Sequence, residues 1–363
     1  PYKCPGPDGI IPKMIQMLDK HCIAALVTLY RAILALGYTP ESWRTSDVIF
    51  IPKPKPSHTG PRDFRPITLS SSLLKCLERV VLWHLEQTTL RNRPPSCHQH
   101  AFRQGFSCES ALSEITDSVE SSVRDGFDVL LLGIDIRGAF DNVRTDKVLK
   151  ALKDWGFPEW FIHWYGHYMW NRIAKARLGG SSITIFVIHG TAQGGVLSPM
   201  IWNIVIDVFI VTANYMNHID LTAFADDGIA AIRGTTHAEL RLRALSLIRL
   251  ASRWTSSAGL TICPKKTDLM HIQVNVECPP RLWMAGKILQ YSSELKFLGI
   301  TFDPSLTFVK HIDKKIQAAK AGIAKIRSLQ GKLWGPKGLI LRWLYGSVIR
   351  PALAYGSVVW ASS

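Results

Sequence analysis

Leu221-Thr222-Ala223-Phe224-Ala225-Asp226-Asp227-Gly228-Ile229-Ala230-Ala231-Ile232 holds two short apolar runs separated by adjacent aspartates. Runs of this kind around a tight turn read as a β-hairpin with acids at its tip. Neighbouring carboxylates repel, and a turn with no other task more often uses Asn-Gly or Asp-Gly. A divalent cation would remove the conflict, since Mg²⁺ takes hard oxygen ligands, typically one or two carboxylates with substrate phosphates. Taken alone, the pair fits a solvated turn as well as a metal site. A second stretch, Val129-Leu130-Leu131-Leu132-Gly133-Ile134-Asp135, is a continuous apolar run ending in a carboxylate, hence a buried strand. A charge there needs a metal or a cation, unless Asp135 only caps a helix beginning near Ala139. If this strand lies beside the hairpin in one sheet, three carboxylates converge and can hold two metal ions.

The rest of the chain narrows the partner. Its 363 residues are 47% hydrophobic and 20% charged, which is ordinary for a globular protein. A formal net charge of +15 is not ordinary, and favours a polyanion, nucleic acid ahead of an anionic membrane. The longest apolar run, Ile201 to Ala213, is interrupted by Asn203 and Asp207 and reads as a core helix rather than a membrane span. Seven cysteines with none at CxxC spacing suit free thiols better than zinc or disulfides. His98, Gln99 and His100 near Cys97 also fit no common zinc spacing. The chain does not begin with Met and is expected to be a piece of a longer polypeptide.

Organisation follows from periodicity. Asp47 to Ile51 reads as a strand, followed by a Pro/Lys/Gly loop from Pro52 to Pro61, with a helix expected over Leu69 to Gln87. Ile183 to His189 reads as a strand, then a Gly-rich turn and a helix from Ser198. Ile312, Ile316, Ala319, Ile323 and Ile326 alternate spacings of four and three, marking an amphipathic helix with a basic outer face.

Three blocks in order carry a family resemblance. Gly133-Ile134-Asp135-Ile136-Arg137-Gly138-Ala139-Phe140-Asp141, Thr191-Ala192-Gln193-Gly194-Gly195-Val196-Leu197-Ser198-Pro199 and Ala223-Phe224-Ala225-Asp226-Asp227 resemble successive core motifs of reverse transcriptases. Gly6-Pro7-Asp8-Gly9-Ile10, Ile51-Pro52-Lys53, Arg65-Pro66-Ile67-Thr68-Leu69, His100 to Phe106, Lys266-Thr267 and Phe297-Leu298-Gly299 resemble the non-LTR (LINE-type) retrotransposon branch. The resemblance runs from residue 6 to about residue 360.

It implies an α+β right-hand polymerase fold with an antiparallel palm sheet and a helical thumb. Residues 1–124 would be fingers, 125–141 the first catalytic strand of the palm, and 142–180 a helical insertion. Residues 181–302 would complete the palm with catalytic hairpin and primer grip, and 303–363 form a basic thumb. Asp135, Asp226 and Asp227 would bind two Mg²⁺ ions, for which Mn²⁺ can substitute, with the Ile136 carbonyl as an extra ligand. Lys53 and Arg65 would grip the triphosphate, a point charge and a planar fork. Ile136, Gly138, Ala139 and Phe140 would line the nucleotide site, Phe140 excluding a 2′-hydroxyl; Gln193 and Gly194 would lie against nucleotide and template. Lys266 would protonate the leaving pyrophosphate, although Lys265 competes and Cys263 stands where Asn is frequent. Asp141 would orient the backbone rather than bind metal. Phe224, Ala225, Phe297, Leu298 and Gly299 would meet primer and template.

The implied partners are an RNA template, a DNA primer or target DNA, and dNTPs, with no membrane. The remainder of a retrotransposon polyprotein, such as an endonuclease or RNase H, would act in cis. Synthesis would be cytoplasmic and integration nuclear. Two other readings stay open at this point: a group II intron type enzyme, and an inactive copy retained as an RNA-binding module.

Overall fold

The computed structural model describes residues 4–53, 60, 63–178, 180–192, 194–264, 267–272, 276–331 and 334–361. The chain divides into two compact units: residues 1–97, 136–211 and 251–262, and residues 98–135, 212–250 and 263–363. In chain order the strands are β1 (Thr45–Pro52), β2 (Phe64–Leu69), β3 (Asp128–Asp135), β4 (Arg172–Leu178), β5 (Ser181–Val187) and β6 (Ile219–Phe224). They continue with β7 (Asp227–Gly234), β8 (Leu269–Ile272), β9 (Trp283–Met284), β10 (Lys287–Ile288), β11 (Leu295–Phe297) and β12 (Ile300–Phe302).

The first unit is built on a mixed sheet in the order β2-β1-β4-β5. β1 runs antiparallel to β2 and parallel to β4, and β4 and β5 form an antiparallel hairpin. The helix expected from Leu69 starts later, at Ser72, because Arg65 to Leu69 belong to β2. Pro66 can be part of a strand here because β2 is at the sheet edge, where a missing N–H breaks no ladder. Ser71 then caps the helix Ser72–Gln87, its hydroxyl oxygen accepting from the Leu74 N–H at 3.3 Å. The expected boundary between residues 180 and 181 falls inside the β4–β5 hairpin. Aromatic side chains fill much of this unit: Phe161, Trp164 and Tyr165 are fully buried on the helix Glu159–Trp170. β5 is an edge strand along which Ile183, Ile185 and Phe186 are exposed.

The second unit carries an antiparallel sheet in the order β6-β7-β3-β8. Val129 to Leu132 of β3 are buried on both faces, which is why the strand reads as an unbroken apolar run. The helix Cys108–Arg124 begins with Ser107 and Ser110 in a reciprocal capping box. It packs Leu112, Ile115 and Val119 against Val129, Ile229 and Met270 of the sheet. Two hairpins follow, β9–β10 and β11–β12. Phe302 and Phe308 join the same core, their rings 5.5 Å apart and edge-on. The expected basic helix is present as Val309–Ser328. Its apolar stripe is only partly covered, Ala319 being buried while Ile316 and Ile323 stay exposed. Among the described residues no helix is long and apolar enough to cross a membrane. All seven cysteines are free thiols.

Candidate active site

β3 and β7 are paired over their full lengths, and the register sets Asp135 directly opposite Asp227. β6 and β7 pair from Ile219–Ile232 to Phe224–Asp227, leaving Ala225 and Asp226 as a two-residue turn. Asp226 is therefore at the apex and Asp227 opens the return strand. Ala225 has φ of +58°, the left-handed conformation such a turn demands of its first residue. Like charges directly opposite across an antiparallel ladder are destabilising. Asp135 thus stands against Asp227 with Asp226 one residue away, an arrangement of hard oxygens that a divalent cation would suit.

Asp135 and Asp227 line one cavity of about 140 Å³ with Asp268, Lys296, Phe297 and Leu298. Asp268 escaped the sequence reading because it follows the motif lysine without belonging to a recognisable pattern. Burial pushes its carboxyl up, opposed by Lys296. The Gly133 N–H donates to the Asp268 carbonyl at 2.8 Å, fixing that segment beside β3. Phe297, Leu298 and Gly299 form the tip of β11–β12, with φ of +46° at Leu298 and +79° at Gly299. The Tyr355 hydroxyl donates to the Leu298 carbonyl at 2.6 Å and holds that tip. The hairpin expected to grip the primer thus shares a cavity with two of the expected metal ligands.

Among the described residues no group of three or more His, Cys, Asp or Glu side chains forms a ready metal cage. Mg²⁺ needs none, since it is commonly held by one or two carboxylates with the substrate's phosphates and water completing an octahedron. The hard-oxygen pair of Asp135 and Asp227 beside a polar cavity fits such an ion. The Ile136 backbone pairs with Ile262 in an isolated antiparallel bridge.

The first unit gathers most of the expected nucleotide residues. Gly138 and Ala139 lead into the single turn Ala139–Asn142, Gly138 in a left-handed conformation. Phe140 is half-buried with its ring 5.4 Å from Trp202, and its carbonyl accepts from the Thr191 N–H at 2.6 Å. Gly190 approaches the same segment so closely that a Cβ there would lie 2.4 Å from the Asp141 carbonyl oxygen. Gly194 has φ of +106° and would bring a Cβ within 3.2 Å of the Thr68 carbonyl. Thr68, Asp141, Thr191 and Ala192 consequently surround one cavity of about 800 Å³. Arg65 is exposed on β2 opposite Ile51, and the Lys53 N–H donates to the Asp63 carbonyl at 2.8 Å. Gln193, Lys265 and Lys266 lie outside the described residues.

The turn after Gln193 has a support that the sequence did not reveal. Glu78, almost fully buried, accepts from the Val196 N–H at 3.1 Å. Burial pushes its carboxyl from 4.5 up to about 7, against the opposing effect of that hydrogen bond. A carboxyl raised on folding stabilises fully below its unfolded value, and the contribution is lost as pH rises through the folded value. Stability should therefore fall between pH 4.5 and about 7 from this group. Glu78→Gln should flatten that part of the profile, measured as denaturation midpoint against pH. An unchanged slope would remove Glu78 from the account.

His98, Gln99 and His100 are structural neighbours of the β6–β7 hairpin. The Ala223 N–H donates to the His98 carbonyl at 2.8 Å, and the His100 N–H to the Ala223 carbonyl at 2.9 Å. Both rings meet the Glu114 carboxylate at 2.6 Å, which also accepts from the Thr222 hydroxyl at 3.0 Å. Desolvation works against the Glu114 charge, but the hydrogen bonds from His100 and His98 prevail and hold the carboxyl at about 2. The hydrogen bond to Glu114 raises His98.

Comparison with known proteins shows the family. Residues 51–302, from the end of β1 to the end of β12, match the family model "Reverse transcriptase (RNA-dependent DNA polymerase)". A 115 kDa protein in the type-1 retrotransposable element R1DM of Drosophila melanogaster is 27% identical over 99% of this chain and 34% of its own length. The retrovirus-related Pol polyprotein from the type-1 retrotransposable element R1 of Bradysia coprophila is 27% identical over 99% of this chain and 35% of its own. The RNA-directed DNA polymerase from mobile element jockey of Drosophila funebris is 24% identical over 91% of this chain and 36% of its own. The chain thus spans about a third of the length of these relatives. With opposed carboxylates on an antiparallel sheet and a family match across both sheets, this chain belongs to the reverse transcriptases and has their α+β right-hand polymerase fold.

Proposed function

We propose that the chain is the polymerase segment of a non-LTR retrotransposon, extending a DNA primer on an RNA template. The observation that carries this reading is the Asp135–Asp227 cross-strand pair with Asp226 at the adjoining turn. The primer 3′-hydroxyl oxygen attacks the α-phosphorus of a dNTP, and the bond from that phosphorus to pyrophosphate breaks. Two Mg²⁺ ions, replaceable by Mn²⁺, supply a more acidic 3′-hydroxyl and charge neutralisation at the leaving group when bound.

Asp135, Asp226, Asp227 and the Ile136 carbonyl would hold the cations. Lys53 and Arg65 take the triphosphate, and Gly138, Ala139, Gln193 and Gly194 shape the nucleotide site by close backbone approach. Lys266 gives a proton to pyrophosphate, Lys265 being its competitor. Phe224 and Ala225 with Phe297, Leu298 and Gly299 place the primer end. Residues 1–124 and 142–180 act as fingers, the strands of residues 125–141 and 181–302 as palm, and residues 303–363 as thumb. The net charge of +15 suits a hybrid held through its phosphates. In the element's cycle the primer is a nicked target strand in the nucleus, after cytoplasmic synthesis, with endonuclease or RNase H supplied by other parts of the polyprotein.

Primer extension with an RNA template, dNTPs and Mg²⁺ tests the reading directly. Template-dependent, chelator-sensitive incorporation is expected. Salt-dependent RNA binding with no incorporation under any divalent ion would favour an inactive binding module instead. Phe140→Ala should raise ribonucleotide use relative to deoxynucleotide by about 10-fold or more, the effect of relieving a steric clash of roughly 1.4 kcal/mol. Unchanged sugar discrimination would remove Phe140 from that role.

A further inference from the structure

A buried side chain, that of Gln99, bonds to the apex of the β6–β7 hairpin. Ala225 is nearly buried and left-handed, a conformation costing a non-glycine residue on the order of 1 kcal/mol or more. Its backbone N–H and carbonyl lie at the two-residue turn between β6 and β7. Gln99 meets both: its Oε1 accepts from the Ala225 N–H at 2.9 Å and its Nε2 donates to the Ala225 carbonyl at 3.2 Å. The same Oε1 accepts from the Ala101 N–H at 3.1 Å. The Gln99 carboxamide thus imitates a peptide group of an extra strand, and its backbone already forms a parallel bridge to Ala223. Gln99 is fully buried, and His98 and His100 on either side are tied to Glu114. The clamp is therefore anchored before it reaches the turn.

We infer that Gln99 is a positioning residue for the catalytic carboxylates. Its carboxamide fixes the left-handed Ala225, and so sets the direction in which Asp226 and Asp227 leave the turn. This rests on the reading of Asp135, Asp226 and Asp227 as cation ligands. The sequence disguises the role, because a glutamine between two histidines suggests metal binding when its work is done by a neutral amide on a backbone. A glutamine filling the core only for packing would be satisfied anywhere; two bonds to one residue, at the left-handed position that precedes Asp226, place it in the path from scaffold to site.

The test uses Gln99→Leu and Gln99→Glu in the whole chain, with primer extension on RNA, Mg²⁺ titration and hydrogen exchange. Gln99→Leu keeps bulk and removes all three bonds. It should lower kcat and raise the half-saturating Mg²⁺ concentration, together by about 10- to 100-fold, the usual loss when a partner behind a metal ligand is removed. dNTP KM and hybrid affinity should stay within about twofold, since neither is set by the dyad's orientation. Exchange at the Ala225 amide should quicken while the amides of β3 keep their protection.

Gln99→Glu serves where Gln99→Leu fails to fold, because it preserves shape and the accepting oxygen. Only its protonated form can donate to the Ala225 carbonyl, so its activity relative to the parent should climb as pH falls. A pH-independent ratio, or a folded Gln99→Leu with parental kcat and Mg²⁺ midpoint beside an inactive Asp226→Asn, overturns the Gln99 role alone. A fully active Asp226→Asn overturns the carboxylate assignment itself, and the Gln99 role falls with it.

Discussion

Asp227→Asn should abolish primer extension, lowering kcat by about 10³-fold or more, while leaving the fold intact. The magnitude follows from removing one anionic ligand of a cation that stabilises several kcal/mol of developing charge, at about 1.4 kcal/mol per decade. The decisive companion measurement is thermal stability with and without Mg²⁺. Without the ion, Asp135 and Asp227 oppose each other across the β3–β7 ladder, so the substitution should be neutral or stabilising by about 0.2–1 kcal/mol. With the ion, the parent should gain stability in proportion to occupancy and the variant should not. A variant that loses stability in both conditions would mark Asp227 as a structural group, and one that keeps turnover would remove it from the site.

Gly190→Ala should be the most damaging small substitution in the first unit, by about 2–5 kcal/mol. Two costs combine: a left-handed φ of +71° and a Cβ 2.4 Å from the Asp141 carbonyl oxygen and 2.7 Å from that of Phe140. The first is worth about 1–2 kcal/mol and the second, overpacking against rigid backbone, about 1–3 kcal/mol. Gly156→Ala separates them, since Gly156 has φ of +93° with nothing within 4 Å of the added Cβ. Chemical denaturation should show Gly156→Ala losing only the conformational part. Equal losses at both positions would mean that the close approach to Phe140 has no energetic weight. Surviving Gly190→Ala protein should also show a raised dNTP KM, because the segment that yields carries Phe140.

How much of this was legible beforehand depended on whether the determining contact was local. β3 and the β6–β7 hairpin could be read from their apolar runs, and the acids at their ends followed from the spacing. The register that opposes Asp135 to Asp227 required pairing two segments far apart in the chain; the resemblance implied that the three aspartates act together, not which of them face each other. β2, with its Pro66, was not read from the sequence, since a proline is tolerated in a strand only at an edge, and edges are a property of the sheet. Joining β4–β5 to β1 in one mixed sheet left no periodic trace. Glu78, Gln99, Glu114 and Asp268 were missed for a shared reason. Each acts on backbone, on side chains or on a cavity away from it in sequence, and their residue types are unremarkable in isolation.

The exposed edge of the first sheet carries a practical consequence for anyone handling the protein. Ser181 to Val187 offers unpaired backbone groups along a strand whose Ile183, Ile185 and Phe186 face solvent. Its composition, β-branched and aromatic with no proline or charge, is that of a segment prone to intermolecular strand pairing. Concentrated preparations should self-associate through this strand before the carboxylate sheet of the other unit is disturbed. A lysine at Ile185 is the economical remedy, a gatekeeper charge at a position already open to water.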